Sequence, residues 1–206
     1  MRSDIIIINY GMGNLGSVKN MFKRVGAKAI ISSNIDEIES ANKLLLPGVG
    51  AFDAAVKALS KRGLIELIKH KAEKEKIPIL GICLGMQLLT DKSEEGKLPG
   101  LGLIPGSTIK FKATSDDSYK VPHMGWNDVA MNNESSLTMD LSDDSRFYFV
   151  HSYFVKVENQ ANSILKTKYG TEFDSGIQKE NIMGVQFHPE KSHKFGMKIF
   201  ENFAKL

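Results

Sequence analysis

The sequence predicts a three-layer α/β fold, with helices on both faces of a mostly parallel central sheet and an added antiparallel β portion. In the first half of the chain, short apolar stretches alternate with helical patterns, which is the element order of a parallel sheet. The first stretch, residues 5–9, is rich in isoleucine and lacks the alternation of a half-exposed strand. The second half holds several short β-rich stretches, which favour mixed or antiparallel pairing beside the parallel core.

Glycine and proline residues separate the elements of the first half. Strands are predicted at residues 5–9, 29–32, 43–46 and 77–82. Helices are predicted at residues 14–25, 53–59, 64–74 and 84–89. Strand and helix therefore alternate along the chain, as they do in a parallel sheet.

From residue 103 onward the pattern changes to short strands, predicted at residues 147–150, 163–166 and 183–187. The chain closes with Phe195, Ile199 and Phe203, whose spacing places them on one apolar helix face. Residues 113–120, which include two aspartates and two serines, are predicted to form the most mobile loop. Since no repeat or long linker divides the chain, residues 1–206 are predicted to form a single domain.

The composition is that of an ordinary soluble globular protein, with 42% hydrophobic and 25% charged residues. A net charge of +3, without a basic patch interleaved with aromatics, does not indicate a nucleic-acid partner. No apolar stretch approaches the ~18 residues of a membrane span, and the N-terminus lacks the pattern of a secretion signal. A lone cysteine, Cys83, forms no intrachain disulfide, so we expect a reducing, cytoplasmic location. The His and Cys residues show no metal-ligand spacing, and we expect neither a metal nor a cofactor.

The segment around Cys83 has the strongest chemical signal. Gly81 and Gly85 flank the cysteine between a predicted strand and a predicted helix, and they permit a tight turn that exposes a nucleophile. A helix N-terminus also favours the thiolate. The alternative is that Cys83 is a small buried hydrophobe, as most free cysteines are. The flanking glycines and the strand–turn–helix order favour the nucleophile.

His188 and Glu190 supply the base and the orienting acid that an activated cysteine needs. They follow a predicted strand, and Pro189 between them restricts the backbone of the turn. Taken alone, this pair is better explained as a structural histidine and a solvated acid. Placed at a strand end opposite the Cys83 turn, the pair becomes a candidate for the base and the orienting acid of a Cys–His–Glu triad.

Cleavage of an amide also requires N–H donors for the oxyanion. Leu84 follows the nucleophile and offers its backbone N–H. Residues 47–50 (PGVG) follow an earlier strand, and the carboxyl ends of parallel strands line the ligand crevice. Taken by itself, this Pro-Gly segment is also compatible with an ordinary turn.

These motifs together resemble the class I (triad) glutamine amidotransferases. The resemblance rests on residues 46–50 (LPGVG), 81–87 (GICLGMQ) and 185–190 (VQFHPE). Within that family, further motifs are similar to the glutaminase subunits of imidazole glycerol phosphate synthase: residues 10–14 (YGMGN), 121–127 (VPHMGWN), 149–153 (FVHSY) and 188–192 (HPEKS).

The resemblance implies a flavodoxin-like fold and a hydrolysis of L-glutamine to glutamate and ammonia. It assigns Cys83 as the nucleophile, His188 as the acid and base, and Glu190 as its orienting group. It implies an oxyanion hole formed by the N–H groups of Val49 and Leu84. The residues that it places around the glutamine backbone are Gly50, Gln87, Ser152 and Tyr153.

The resemblance also implies a partner, a (β/α)₈ cyclase subunit that forms a heterodimer with this chain and receives the ammonia for histidine biosynthesis. The implied partner interface contains Asn14, His123, Trp126 and Lys191. A core position is the alternative for Trp126, although the resemblance favours the docking face. Three alternatives remain open: a paralogue that supplies ammonia for amidation of a surface sugar, a non-catalytic scaffold, and a peptidase of the related cysteine-elbow fold. The intact triad argues against the scaffold, and the glutamine-holding motifs argue against the peptidase.

Overall fold

A large mixed sheet, formed by both halves of the chain, lies at the centre of the fold. The computed structural model describes residues 5–112 and 119–206, so most of the loop predicted at residues 113–120 lies outside the described residues. The strands are Ile5–Ile8 (β1), Ala29–Ser32 (β2), Lys43–Gly48 (β3), Ile79–Cys83 (β4), Lys92–Ser93 (β5), Gly106–Lys110 (β6), His123–Asp128 (β7), Ala130–Met131 (β8), Arg146–His151 (β9), Tyr153–Val157 (β10), Ser163–Tyr169 (β11), Thr171–Lys179 (β12) and Ile182–Val185 (β13).

Helices connect the parallel strands and close the chain. They are Leu15–Arg24 (α1), Ile35–Glu39 (α2), Phe52–Lys61 (α3), Leu64–Glu73 (α4), Leu84–Leu88 (α5) and His193–Lys205 (α6). The sequence did not predict the short helix α2, which is capped by Asn34: its Oδ1 accepts a hydrogen bond of 2.8 Å from the backbone N–H of Asp36. In the described part of the chain, no helix is both long and apolar enough to cross a membrane.

The strand order β2-β1-β3-β4-β13-β12-β10-β6-β5 shows how the two halves join. From β2 to β13 all neighbouring strands are parallel. Beyond β13, strands β12, β10 and β6 pair in antiparallel fashion, and β11 and β8 extend from β12. A separate antiparallel pair is formed by β7 and β9. The prediction of a parallel core with an added antiparallel portion is confirmed.

Both faces of the parallel core are buried. On β1, Ile6 and Ile8 pack on one side with α3 and α4, whereas Ile5 and Ile7 pack on the other side with α1 and α6. Because every residue of β1 is apolar, the strand contributes to the hydrophobic cores on both faces of the sheet. Each isoleucine of β1 is at most 2% exposed.

Strand β3 extends two residues beyond its predicted end. Pro47 and Gly48 stay in the sheet because they pair in register with Ile82 and Cys83 of β4. A proline lacks the N–H donor of a ladder, so its place in a central strand could not be read from the sequence pattern. The extension brings residues 47–50 level with the end of β4.

Candidate active site

Cys83 is the last residue of β4, and Leu84 begins α5 directly after it. The Cys83 backbone has a φ of 53° and a ψ of −110°, which is a strained conformation for a residue with a side chain. The side chain is 7% exposed. This is the sharp strand-to-helix turn that presents a nucleophile at the edge of a sheet.

The two flanking glycines allow this turn because α5 packs against the backbone of the sheet. A Cβ on Gly85 would lie 1.9 Å from the carbonyl oxygen of Leu46. A Cβ on Gly81 would lie 2.6 Å from the carbonyl oxygen of Gly85. No side chain fits at either position, so the glycines fix how closely the cysteine approaches β3.

His188 follows β13, whose neighbour is β4, and Glu190 lies in the next turn. Nδ1 of His188 is 2.8 Å from Oε1 of Glu190, and both side chains are at most 3% exposed. The backbone N–H of His188 donates a 2.8 Å hydrogen bond to the carbonyl of Tyr148, which anchors the segment to β9. The acid thus fixes the orientation of the imidazole ring.

The charge state of His188 results from opposing effects. Burial lowers its pKa, but hydrogen bonding and charge interactions with Cys83 and Glu190 outweigh burial and raise the pKa to about 10. The contact with Cys83 falls short of a well-formed hydrogen bond, because Nε2 of His188 has no partner of normal geometry among the described residues. At neutral pH, His188 is therefore protonated, and Nε2 is available at the Cys83 side of the ring.

The register of β3 and β4 places the two expected oxyanion donors side by side. Gly48 pairs with Cys83, so Val49 and Leu84 are the next residues along the two neighbouring strand ends. Val49 is 44% exposed, and Gly50 has a φ of 107° that favours glycine. Below them, the buried Tyr10 hydroxyl donates a 2.7 Å hydrogen bond to the carbonyl of Pro47. Burial, together with the charge of Cys83, raises the pKa of Tyr10.

A cavity of about 350 Å³ opens above these residues. Its lining includes the sequence-predicted residues Val49, Gly50, Cys83, Leu84, Gln87, Ser152, Tyr153 and His188. The structure thus brings together residues from four separate segments. Glu190 lies behind His188 and is absent from this lining.

Two residues of the site were not predicted from the sequence, Glu95 and Gln186. Glu95 lines the cavity, and its Oε2 accepts a 3.0 Å hydrogen bond from the backbone N–H of Phe52. Gln186 is fully buried, and its Nε2 lies 3.7 Å from Sγ of Cys83. Glu95 lies in a polar loop that gave no signal, whereas Gln186 lay within the motif at residues 185–190.

The predicted partner residues separate into a surface group and a buried one. Asn14 and Lys191 are exposed, and Trp126 is 44% exposed, so the tryptophan belongs to the surface and not to the core. Nζ of Lys191 lies 5.5 Å from the ring centre of Tyr148.

His123 differs from the expectation of a surface contact, because it is only 2% exposed. Its ring stacks between those of Phe149 and Tyr169, at centroid distances of 4.7 and 3.9 Å. The ring of His123 therefore packs inside the fold, between β9 and β11, and does not form part of the exposed surface around Trp126.

A family model, glutamine amidotransferase class-I, matches residues 6–206, which is nearly the whole chain. The chain belongs to the class I glutamine amidotransferases. Among its relatives, "imidazole glycerol phosphate synthase subunit HisH 2" of Methanococcus maripaludis is 54% identical over 98% of both chains. A protein of the same name from Pseudomonas aeruginosa is 47% identical, over 98% of this chain and 99% of the relative.

Solved structures show that the fold of this amidotransferase is shared at much lower identity. A crystal structure of another glutamine amidotransferase gives a TM-score of 0.73 at 15% identity, covering 99% of this chain and 100% of the other. PurLQS from Thermotoga maritima gives a TM-score of 0.73 at 17% identity, covering 100% of this chain and 99% of the other. These two similarities concern the fold alone.

Proposed function

We propose that this amidotransferase is the glutaminase subunit of an imidazole glycerol phosphate synthase, hydrolysing L-glutamine and passing ammonia to a cyclase. The observation that carries the proposal is the strained Cys83, facing His188 across a cavity at the sheet edge. A protonated His188 beside the cysteine provides the positive charge that favours attack by the sulfur as a thiolate.

The first half-reaction is attack on the side-chain amide of glutamine. The Cys83 thiolate adds to the amide carbon, and the carbonyl oxygen becomes an oxyanion within reach of the N–H groups of Leu84 and Val49. His188 gives its proton to the amide nitrogen, the C–N bond breaks, and ammonia leaves. The product is a γ-glutamyl thioester on Cys83.

The second half-reaction returns the enzyme to its starting state. His188, now neutral, takes a proton from water, and the resulting hydroxide attacks the thioester carbon. The C–S bond breaks, glutamate leaves, and Cys83 is again a thiolate opposite a protonated His188. Glu190 holds the imidazole in one orientation throughout, through its contact with Nδ1. Glutamine and water have then become glutamate and ammonia.

Substrate binding requires groups for the charged α-amino and α-carboxylate ends of glutamine. Gly50, Gln87, Ser152 and Tyr153 line the cavity and are the proposed contacts for this part of the substrate. Glu95 adds a carboxylate to the same wall, which is complementary to an α-ammonium group. The substrate is therefore held at one end by charge and at the other by the nucleophile.

The proposed partner is a (β/α)₈ cyclase that binds at the face bearing Asn14, Trp126 and Lys191, forming a heterodimer in histidine biosynthesis. The names of the relatives support this pathway. The alternative of a subunit serving surface-sugar amidation is not favoured by those names.

Substitution of the nucleophile tests the division of labour. Cys83→Ser and Cys83→Ala should abolish glutamine-dependent synthesis by the complex with the cyclase, because no thioester can form at a useful rate. Synthesis from added ammonium salt should continue at the wild-type rate, since the acceptor chemistry takes place on the partner. Product formation is measured with each nitrogen source. Loss of both activities in a folded complex would contradict the proposal.

A further inference from the structure

The triad leaves one polar group beside the nucleophile unexplained. Gln186 is 0% exposed, so its side-chain amide is fully removed from solvent. Burial of an amide is costly unless its hydrogen bonds are made, so each partner of this side chain matters. The amide reaches two groups: Sγ of Cys83 at 3.7 Å and Nε2 of Gln87 at 3.2 Å.

The orientation of the Gln186 amide follows from its neighbours. Nε2 of Gln87 lies 3.1 Å from the carbonyl oxygen of Tyr153, which only accepts, so this end of Gln87 is the NH₂ group. The same NH₂ group meets Gln186, so the Gln186 atom facing it is the acceptor Oε1. Nε2 of Gln186 is consequently directed at Cys83, and it presents an N–H donor to the sulfur.

A buried pair of histidines supports the Tyr153 carbonyl from the other side. Nδ1 of His151 donates to that carbonyl at 2.7 Å, which leaves Nε2 of His151 as an acceptor. It accepts from Nδ1 of His123 at 3.0 Å, and Nε2 of His123 accepts in turn from the amide of Asn127 at 3.2 Å. Burial lowers the pKa of His123 to about 4 and that of His151 to about 3, so both rings are neutral, as this pattern requires.

From this geometry we infer that Gln186 is a further residue of the catalytic centre, whose side-chain N–H donates to the Cys83 thiolate and holds the sulfur toward the substrate. Gln87 and the Tyr153 carbonyl act as positioning groups, because they fix which end of the Gln186 amide faces the sulfur. The inference deepens the proposed function and rests on it for the identity of the substrate, glutamine. The donor-to-thiolate contact itself does not depend on what the substrate is.

Removal of the N–H donor should make the thiolate form of Cys83 less stable without unfolding the chain. Gln186→Met keeps the length of the side chain but offers no N–H, and Gln186→Glu places a carboxylate against the sulfur. A hydrogen bond to a charged group corresponds to about a 10- to 100-fold effect, so alkylation of Cys83 by iodoacetamide at neutral pH should slow by that factor. The pH at which alkylation reaches half of its maximal rate should rise in both variants, and Gln186→Glu should be alkylated more slowly than Gln186→Met.

Gln178→Met is the matched control. Gln178 makes its hydrogen bonds to Ser135 and to the Glu180 carbonyl, remote from Cys83, so its loss should leave the alkylation profile unchanged. With the cyclase bound, Gln186→Met should lower kcat for glutamate release by about 10- to 100-fold with little change in KM. A merely structural role would lower thermal stability without moving the pH profile.

An experiment on the wild-type chain tests the inference even if the Gln186 variants fail to fold. The side-chain ¹⁵NH₂ signals of Gln186 should shift when Cys83 is alkylated, because a thioether is a weaker acceptor than a thiolate, whereas those of Gln178 should stay. Unmoved Gln186 signals, or a folded Gln186→Met with the wild-type alkylation profile, would overturn the inference. Alkylation needs no glutamine, so it tests the inference separately from the proposed function. If the Gln186 variants alter the alkylation profile but the wild-type complex releases no glutamate, the inference stands and only the proposed function is refuted.

Discussion

Cys83 and His188 stand at the ends of neighbouring parallel strands, and each is held by a different kind of constraint. The cysteine is held by its backbone, through a turn with a φ of 53°. The histidine is held by its side chain, through Glu190 at 2.8 Å. Backbone strain at one partner and a buried ion pair at the other leave few ways for the two groups to separate.

The sequence was sufficient to predict that Cys83 and His188 belong to one site, but it did not predict that Gln186 lies beside them. The glycines around Cys83 and the short spacing of His188 and Glu190 are local signals, which a pattern in one segment can carry. Gln186 depends on Gln87, 99 positions away, and on a backbone carbonyl. Glutamine has no reactivity of its own, so its importance emerges only from the groups that surround it.

Replacement of the base and of its orienting group should have unequal effects. His188→Ala should lower the rate of glutamate release at least ~100-fold, the low end of a general acid–base contribution, because the variant lacks the group that protonates the leaving nitrogen. Glu190→Gln should be milder, since an amide or water can still support the ring. Steady-state glutamate release by the complex with the cyclase is the measurement. Near-normal turnover by His188→Ala would remove the histidine from the mechanism.

At the scale of elements, the site depends on how closely α5 lies against β3 and β4. The predicted positions of these elements were close to the observed ones, but the contact between them was invisible in the pattern. Strand β7 was also not predicted, because its sequence, HMGWND, lacks a β-branched stretch. It forms through its pairing with β9.

The close contact of α5 predicts a sharp difference between two glycine substitutions. Gly85→Ala should destabilise the chain by at least 1–3 kcal/mol, because its Cβ would collide with the Leu46 carbonyl. Gly16→Ala is the control: this exposed glycine of α1 has open space around it, and alanine there should stabilise by about 0.5–1 kcal/mol. Urea unfolding measures both. Equal stability of the two variants would show that α5 has room to move.

The histidine pair between β7 and β9 should make stability fall in mild acid. His123 and His151 stay neutral in the fold, with pKa values of about 4 and about 3, but they become protonated in the unfolded chain below ~6.5. The unfolded state therefore binds more protons, and the free energy of unfolding should drop from pH 6.5 to 4.5 by as much as ~2–3 kcal/mol per histidine. His188 affects stability in a different pH range. Its pKa is raised from 6.5 to about 10 in the fold, so its contribution to the free energy of unfolding is lost as the pH rises between these values.

Urea titrations between pH 4.5 and 6.5 test this slope. His123→Asn removes one of the two groups and should flatten the dependence on pH. His70→Asn is the control, since the His70 side chain is 60% exposed and loses no buried state on unfolding. A slope that His123→Asn leaves intact would mean that the buried pair does not govern acid stability.

On the scale of the whole molecule, a polar network joins the active site on the large sheet to β7, which carries Trp126 of the proposed partner face. Trp126 and Asn127 are neighbours on β7, and Asn127 begins the series of hydrogen bonds that reaches Tyr153. Val49, the expected second oxyanion donor, is exposed beside the cavity instead of being packed in the core. A partner that contacts Trp126 would thus lie beside the first residue of a hydrogen-bond series that ends at the cavity lining.

Docking of the cyclase should activate the glutaminase. A glutaminase that worked alone would waste glutamine. The peptide between Gly48 and Val49, which carries the Val49 N–H, can present either its N–H or its C=O to the thioester site, because the glycines on both sides of Val49 make the backbone easy to rotate. We expect the isolated chain to rest without the second oxyanion donor, and docking of the cyclase to supply it. One such donor is worth ~100- to 1000-fold in turnover, which sets the expected increase in glutamate release on addition of saturating cyclase and an acceptor analogue.

Trp126→Ala should lose most of that increase while the isolated chain keeps its low rate. An isolated chain that is already as fast as the complex would show that no such switch exists.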